Sequence, residues 1–121
     1  MRREEEETPV LHRSSGNVFA DLGFPDPEEE YVKSTLAMRI GRIIAQHGWN
    51  QTEAGQVIGI DQPKVSALLR GRLDQFSTER LLLFLTALDQ DVTIVVQPKA
   101  GVEVKATMRV SVYDSSAVAA K

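Results

Sequence analysis

The chain has no cysteine, which excludes disulfides and thiolate metal sites and agrees with a reducing compartment. Histidine is almost as scarce. His12 and His47 are the two present, and neither has a partner at metal-ligand spacing, nor is there a glycine-rich loop to cradle a phosphate. No apolar run approaches the ~20 residues that cross a bilayer. The opening Met1-Arg2-Arg3-Glu4-Glu5-Glu6-Glu7 lacks the apolar stretch of a signal peptide. The acidic runs Glu4 to Glu7 and Glu28 to Glu30 have the character of solvated charge blocks rather than acid–base pairs. These absences predict a cytoplasmic, non-enzymatic protein without catalytic residues, cofactor, metal or membrane contact.

What is present fits one domain. A chain of 121 residues with 42% hydrophobic content can bury one compact core and little more. The net charge of −3 is unevenly spread. Residues 1 to 30 carry three cations, Arg2, Arg3 and Arg13, against nine carboxylates, a balance of −6. Residues 33 to 72 carry Lys33, Arg39, Arg42, Lys64, Arg70 and Arg72 against Glu53 and Asp61, a balance of +4. The head is acidic, and the middle has the modest positive excess that phosphate binding requires.

The densest pattern lies in that middle. Asn50 and Glu53 form the spacing of a capping box, in which each side chain bonds the other's backbone amide, so a helix starts there. Ala54, Val57 and Ile58 give it an apolar face, and Gly59 supplies the left-handed residue that ends it. Asp61 caps the next helix, Pro63 sits where a missing amide costs nothing, and Val65, Leu68 and Leu69 point inward until Gly71 closes it. The outward set is Gln62, Lys64, Ser66 and Arg70 with Ala67 beside them. Amides, cations and hydroxyls of this kind bond base edges and phosphates. Two short helices and a tight turn in this order predict a helix-turn-helix.

Gln51, Gly55, Gly59, Gln62 and Ser66 stand where the Xre/Cro-like helix-turn-helix family has Gln, a small crossing residue, Gly, Gln and Ser. Over residues 15 to 97 the chain resembles that family. Ser15 to Phe24 with Asp61 to Arg72 resembles its subgroup of HigA-type antitoxins, partnered with RelE/HigB-like toxins. The resemblance implies a mainly α, lambda-repressor-like bundle that reads double-stranded operator DNA. Base reading falls to Gln62, Lys64, Ser66 and Ala67, and phosphate contacts to Gln51, Thr52, Arg70, Gly71 and Arg72. In place of the family's usual Ala, Gly55 predicts a loss of about 1 kcal/mol in helix propensity, and Ala54 replaces a larger aliphatic. A loosely packed helix is expected there.

Three segments are expected. Residues 1–26 read as an acidic, largely disordered head whose Val18, Phe19, Leu22 and Phe24 either form a patch within it or pack on the domain. Residues 27–90 read as the DNA-binding domain. Its first helix starts near Pro27 and carries Val32, Leu36, Ile40, Ile43, Ile44 and His47 inward to Gly48. Trp49 reads as a core plug rather than a base-stacking ring. Its last helix is capped by Ser77, stapled by Phe76, and buries Leu81, Leu82, Leu85 and Leu88. In residues 91–121 the β-branched run Val92 to Gln97 and the alternation from Val102 to Val112 predict two strands. A two-stranded ribbon is marginal alone. The apolar face of Val92, Ile94 and Val96 is therefore expected to form a dimer sheet, the alternatives being a hairpin on its own helices or a disordered second strand.

The function that uses most of the chain is an autoregulating antitoxin: a homodimeric repressor whose Phe19 and Leu22 hold a basic RelE/HigB-like toxin. A stand-alone phage-like repressor has the same DNA chemistry. A purely protein-binding helical module has the acidic net charge in its favour and the set Gln62, Lys64 and Arg70 against it.

Overall fold

The computed structural model describes residues 27–101 and 105–113. Among them are four helices: α1 Pro27–His47, α2 Gln51–Ile58, α3 Gln62–Leu69 and α4 Thr78–Ala87. Proline opens α1, and Glu28, Glu29 and Glu30 place negative charge in its first turn, where the helix dipole favours it. Val32, Leu36, Ala37, Ile40, Ile43 and Ile44 are buried along one face. Gly48, at φ 71, ends the helix by donating its amide to the Ala45 carbonyl at 3.0 Å. His47 does not continue the inward face as its spacing suggests. It is exposed and stacks on Trp49, the ring centroids 4.1 Å apart and the planes 5° from parallel. Trp49 is half-buried against the core rather than a full plug.

Helix α1 packs against α3 and α4, and α2 against α3 and α4. Phe76, Ile40, Leu68, Leu81 and Val65 are the largest side chains fully withdrawn from water; each such burial contributes about 1.5–3 kcal/mol. Ser77 caps α4 by accepting the Arg80 amide at 3.1 Å, and Phe76 just before it packs beneath the helix. The inward face of α4 is Leu81, Phe84, Leu85 and Leu88. Phe84 meets Phe76 edge to face at 5.9 Å, which leaves Leu82 half-buried at the margin. The Arg80 guanidinium covers both rings, at 5.9 and 5.3 Å from their centroids.

Lys33 is 7% exposed. Its ammonium donates to the Leu73 carbonyl at 3.4 Å and pairs with Glu29 at 3.7 Å. It ties α1 to the loop that follows α3, so it is not among the cations that face solvent.

No strand occurs among the described residues, which corrects the two expected. From Gln90 to Ala100 the chain runs without helix, turn or bend. Val92 is half-buried against the core, whereas Ile94, Val95 and Val96 are 71%, 72% and 90% exposed. Val102 and Val104 lie outside the described residues. Residues 106 to 113 form a strap along α1: the Met108 amide donates to Glu28 Oε1 at 3.3 Å, Val110 packs on the core, and Arg39 donates to the Tyr113 carbonyl at 3.5 Å. Five extended steps at about 3.3 Å and eleven helical steps at about 1.5 Å span the same length, so strap and helix keep pace. Beneath it, burial pushes the Tyr31 phenol pKa up against the opposing charge of Arg109, and the ring stays uncharged at neutral pH. A β-ladder needs a second backbone alongside, and none pairs with these segments among the described residues.

Candidate nucleic-acid interface

The interface is built from helix ends. Asn50, at φ −81 and ψ 178, caps α2. Its Oδ1 accepts the Glu53 amide at 2.8 Å, and its own amide donates to Glu53 Oε1 at 2.8 Å. The capping box is complete, and the first-turn amides of Gln51 and Thr52 have no carbonyl of their own helix to bond. Such an end attracts anions.

At the other end of α2, Gly59 takes φ 85. The amides of Gly59 and Ile60 both donate to the Gly55 carbonyl, at 2.7 and 3.0 Å, which is the paired bonding of a tight left-handed helix exit. Gly55 is buried, and a Cβ placed on it would stand 2.4 Å from the Ile60 carbonyl oxygen and 3.3 Å from Val65 Cγ2. The expected looseness is therefore absent. Ala54 is fully buried, and the missing methyl of Gly55 is what lets the turn fold back so closely. Val57 is 39% exposed, so the inward face of α2 is Ala54, Gly55 and Ile58.

Asp61 caps α3 by accepting the Lys64 amide at 3.1 Å. Val65 and Leu68 are buried, whereas Leu69, expected inward, is 40% exposed and lies beside Gly41 of α1, where an added Cβ would stand 3.4 Å from Leu69 Cδ2. Residues two apart on a helix lie about 160° apart around its axis. Gln62 and Lys64 consequently flank the outward face instead of sharing it, and Pro63, Ser66, Ala67 and Arg70 form its middle. Gln62, Lys64 and Arg70 are exposed; Ser66 and Ala67 are half-buried. Gly71, at φ 78, turns the chain so that the Arg72 amide donates to the Ala67 carbonyl at 2.9 Å, with Arg72 exposed.

One contact was not anticipated from the sequence. Gln62 Nε2 donates to Gln51 Oε1, joining the first residue of α3 to the first residue of α2. The signal available for it was positional: each glutamine directly follows a cap residue, Asn50 or Asp61.

The charge pattern also changes. Lys33 is buried and Arg39 bonds the strap, which leaves Arg42, Lys64, Arg70 and Arg72 as exposed cations. The carboxylates of Glu53 and Asp61 are turned onto backbone amides. Among the described residues no group of histidine, cysteine or carboxylate side chains could hold a metal ion, and no helix is long and apolar enough to cross a membrane. Phe19 and Leu22 lie outside the described residues.

The family described as a helix-turn-helix domain matches residues 18–97. No curated protein matches the chain. Among solved structures, one described as "Putative XRE Family Transcriptional Regulator" is 43% identical, with a TM-score of 0.64 over 75% of this chain and 100% of its own. With two capped helices, the left-handed turn at Gly59 and this level of identity, the chain belongs to the XRE-like helix-turn-helix family.

Proposed function

We propose that the protein is a sequence-specific operator-binding repressor that lays α3 in the major groove and sets the N-terminus of α2 on a phosphate. The hydrogen bond from Gln62 to Gln51 carries this reading. It engages one N–H of the Gln62 amide and leaves the carbonyl oxygen and the second N–H, the pair that bonds adenine N6 and N7. The same bond ties the base-reading group to the helix end that meets the backbone. Ser66 reaches a base edge beside it and Lys64 one from the opposite flank of α3, with Ala67 between them, and Arg70, Gly71, Arg72 and Thr52 contact phosphates.

The test is a binding assay against an operator library. Gln62→Ala is expected to cost about 1–3 kcal/mol at one base pair, relaxing preference there, while Arg72→Ala weakens all sequences alike. Uniform losses for both variants would remove Gln62 from the base-reading set.

As the autoregulating antitoxin of a RelE/HigB-like pair, the same protein would hold a basic toxin with its acidic head. The balance of −6 over residues 1 to 30 speeds encounter with a cation-rich partner, and Phe19 and Leu22 supply the apolar contacts. Deleting residues 1 to 24 should then spare operator binding and abolish toxin neutralisation in a growth assay. Full neutralisation by the deletion variant would leave the repressor without this toxin-binding segment.

A further inference from the structure

We infer that residues 91 to 99 join two copies of this chain as an antiparallel ribbon with Val95 opposite Val95 across the two-fold axis; this deepens the operator-binding reading by specifying how two reading helices are coupled. Among the described residues, the last backbone bond before this segment is the Gln90 amide to the Leu85 carbonyl, and none joins Asp91 to Pro98. Extended chain whose amides and carbonyls bond no other backbone among the described residues is a template for another strand. Its Ile94, Val95 and Val96 are 71%, 72% and 90% exposed, and no charged residue lies between Asp91 and Lys99. The chain's own strap, which could have paired with it, is laid on α1 instead.

A second copy fits because the segment complements itself in one register. Residues directly opposite in an antiparallel pair share a face. With Val95 on the axis, Ile94 faces Val96, Thr93 faces Gln97 and Val92 faces Pro98, so Val92, Ile94, Val96 and Pro98 of both chains make one apolar face. Asp91 then lies opposite the partner's Lys99, twice by symmetry. Moving the axis to between Ile94 and Val95 would mix the faces, and moving it to Ile94 would set Asp91 against Gln97. Proline decides the remaining choice. Pro98 has no amide to donate, so Val92–Pro98 must be a non-bonded pair; counting inward by alternation makes Val95–Val95 a hydrogen-bonded pair and Ile94–Val96 a close, non-bonded one. The result is an isologous contact, the symmetry expected of a homodimer.

The absence of cysteine makes the test unambiguous. In the full-length chain, Val95→Cys is expected to oxidise to a covalent dimer, its Cα atoms about 5.5 Å apart. Ile94→Cys mixed with Val96→Cys should crosslink faster than either variant alone, and Thr93→Cys, displaced four positions from its own copy, should stay uncrosslinked. Asp91→Lys should weaken dimerisation about tenfold by sedimentation, with Lys99→Asp added in the same chain restoring it. Overturning results are Val95→Cys crosslinking no faster than Thr93→Cys, a chain that stays monomeric at concentrations well above those where it binds operator, or preferential crosslinking of Val95→Cys to Met108→Cys. Repeating the Gln62→Ala library measurement separates the two ideas. A relaxed base preference without the Val95 crosslink would sink the ribbon and leave the DNA reading standing. A crosslinked dimer indifferent to Gln62 would do the reverse.

Discussion

Helices α2 and α4 leave their last turns in the same way and lead to opposite outcomes. Gly59 takes φ 85 and Asp89 takes φ 65, and in each case the next amide reaches back five residues, Ile60 to Gly55 and Gln90 to Leu85, both at 3.0 Å. After Gly59 a single residue intervenes before Asp61 caps α3, so the amides of Gly59, Ile60 and Lys64 are all engaged within a few residues. After Asp89 no capped helix follows among the described residues, and the chain runs to Ala100 without helix, turn or bend. A left-handed exit sets the direction in which a chain leaves a helix; what it becomes next depends on where its following amides can bond.

The largest blow to this comparison is expected from Gly55→Ala. Helix propensity alone favours alanine by about 1 kcal/mol, but the added methyl would meet the Ile60 carbonyl oxygen at 2.4 Å, and a backbone atom cannot rotate aside. Overpacking of this kind costs about 1–3 kcal/mol, so denaturant titration should show a lower midpoint. A higher one would mean that the turn opens without penalty. Next comes Asn50→Ala, which removes half of the capping box and is expected to cost about 1 kcal/mol, with a parallel fall in affinity for specific and random duplexes because Gln51 and Thr52 lose their fixed amides. The smallest effect is expected at the other exit. Asp89→Gly relieves a left-handed conformation that side chains with a Cβ resist, and part of that gain is offset by the freer unfolded chain, for a net stabilisation of about 0.5 kcal/mol by thermal melting. A loss instead would show that the Asp89 side chain holds the exit in place.

What could be read in advance divides along the same line. Asn50, Glu53, Gly59, Asp61 and Ser77 mark boundaries through bonds to residues within a few positions, Pro63 does so by lacking an amide, and the helices begin and end where those residues place them. Contacts between distant positions left no such trace. Lys33 looks like a phosphate-facing cation until Leu73, forty residues away, takes its ammonium. Leu69 keeps the helical spacing of Val65 but meets Gly41 near the rim, and Phe84 displaces Leu82 because Phe76 offers it an edge-to-face contact. The caps, the left-handed turn and the two short helices of the helix-turn-helix were legible residue by residue, but the Gln51–Gln62 bond and the spread of Gln62 and Lys64 around α3 were not. The β-branched run has strand-forming composition, although no strand forms among the described residues.

The burial of Lys33 bears on how DNA binding would respond to salt. A protein releases condensed counterions from DNA according to the number of phosphates it neutralises, and the logarithm of affinity falls by about 0.9 per phosphate for each decade of salt. Lys33 releases none, because its charge is spent on Glu29 and the Leu73 carbonyl inside the domain. Six cations in the middle of the chain would give a slope of about −5.4 per subunit, and the four that stay exposed give about −3.6, so DNA binding is expected to weaken less with rising ionic strength than the basic residues suggest.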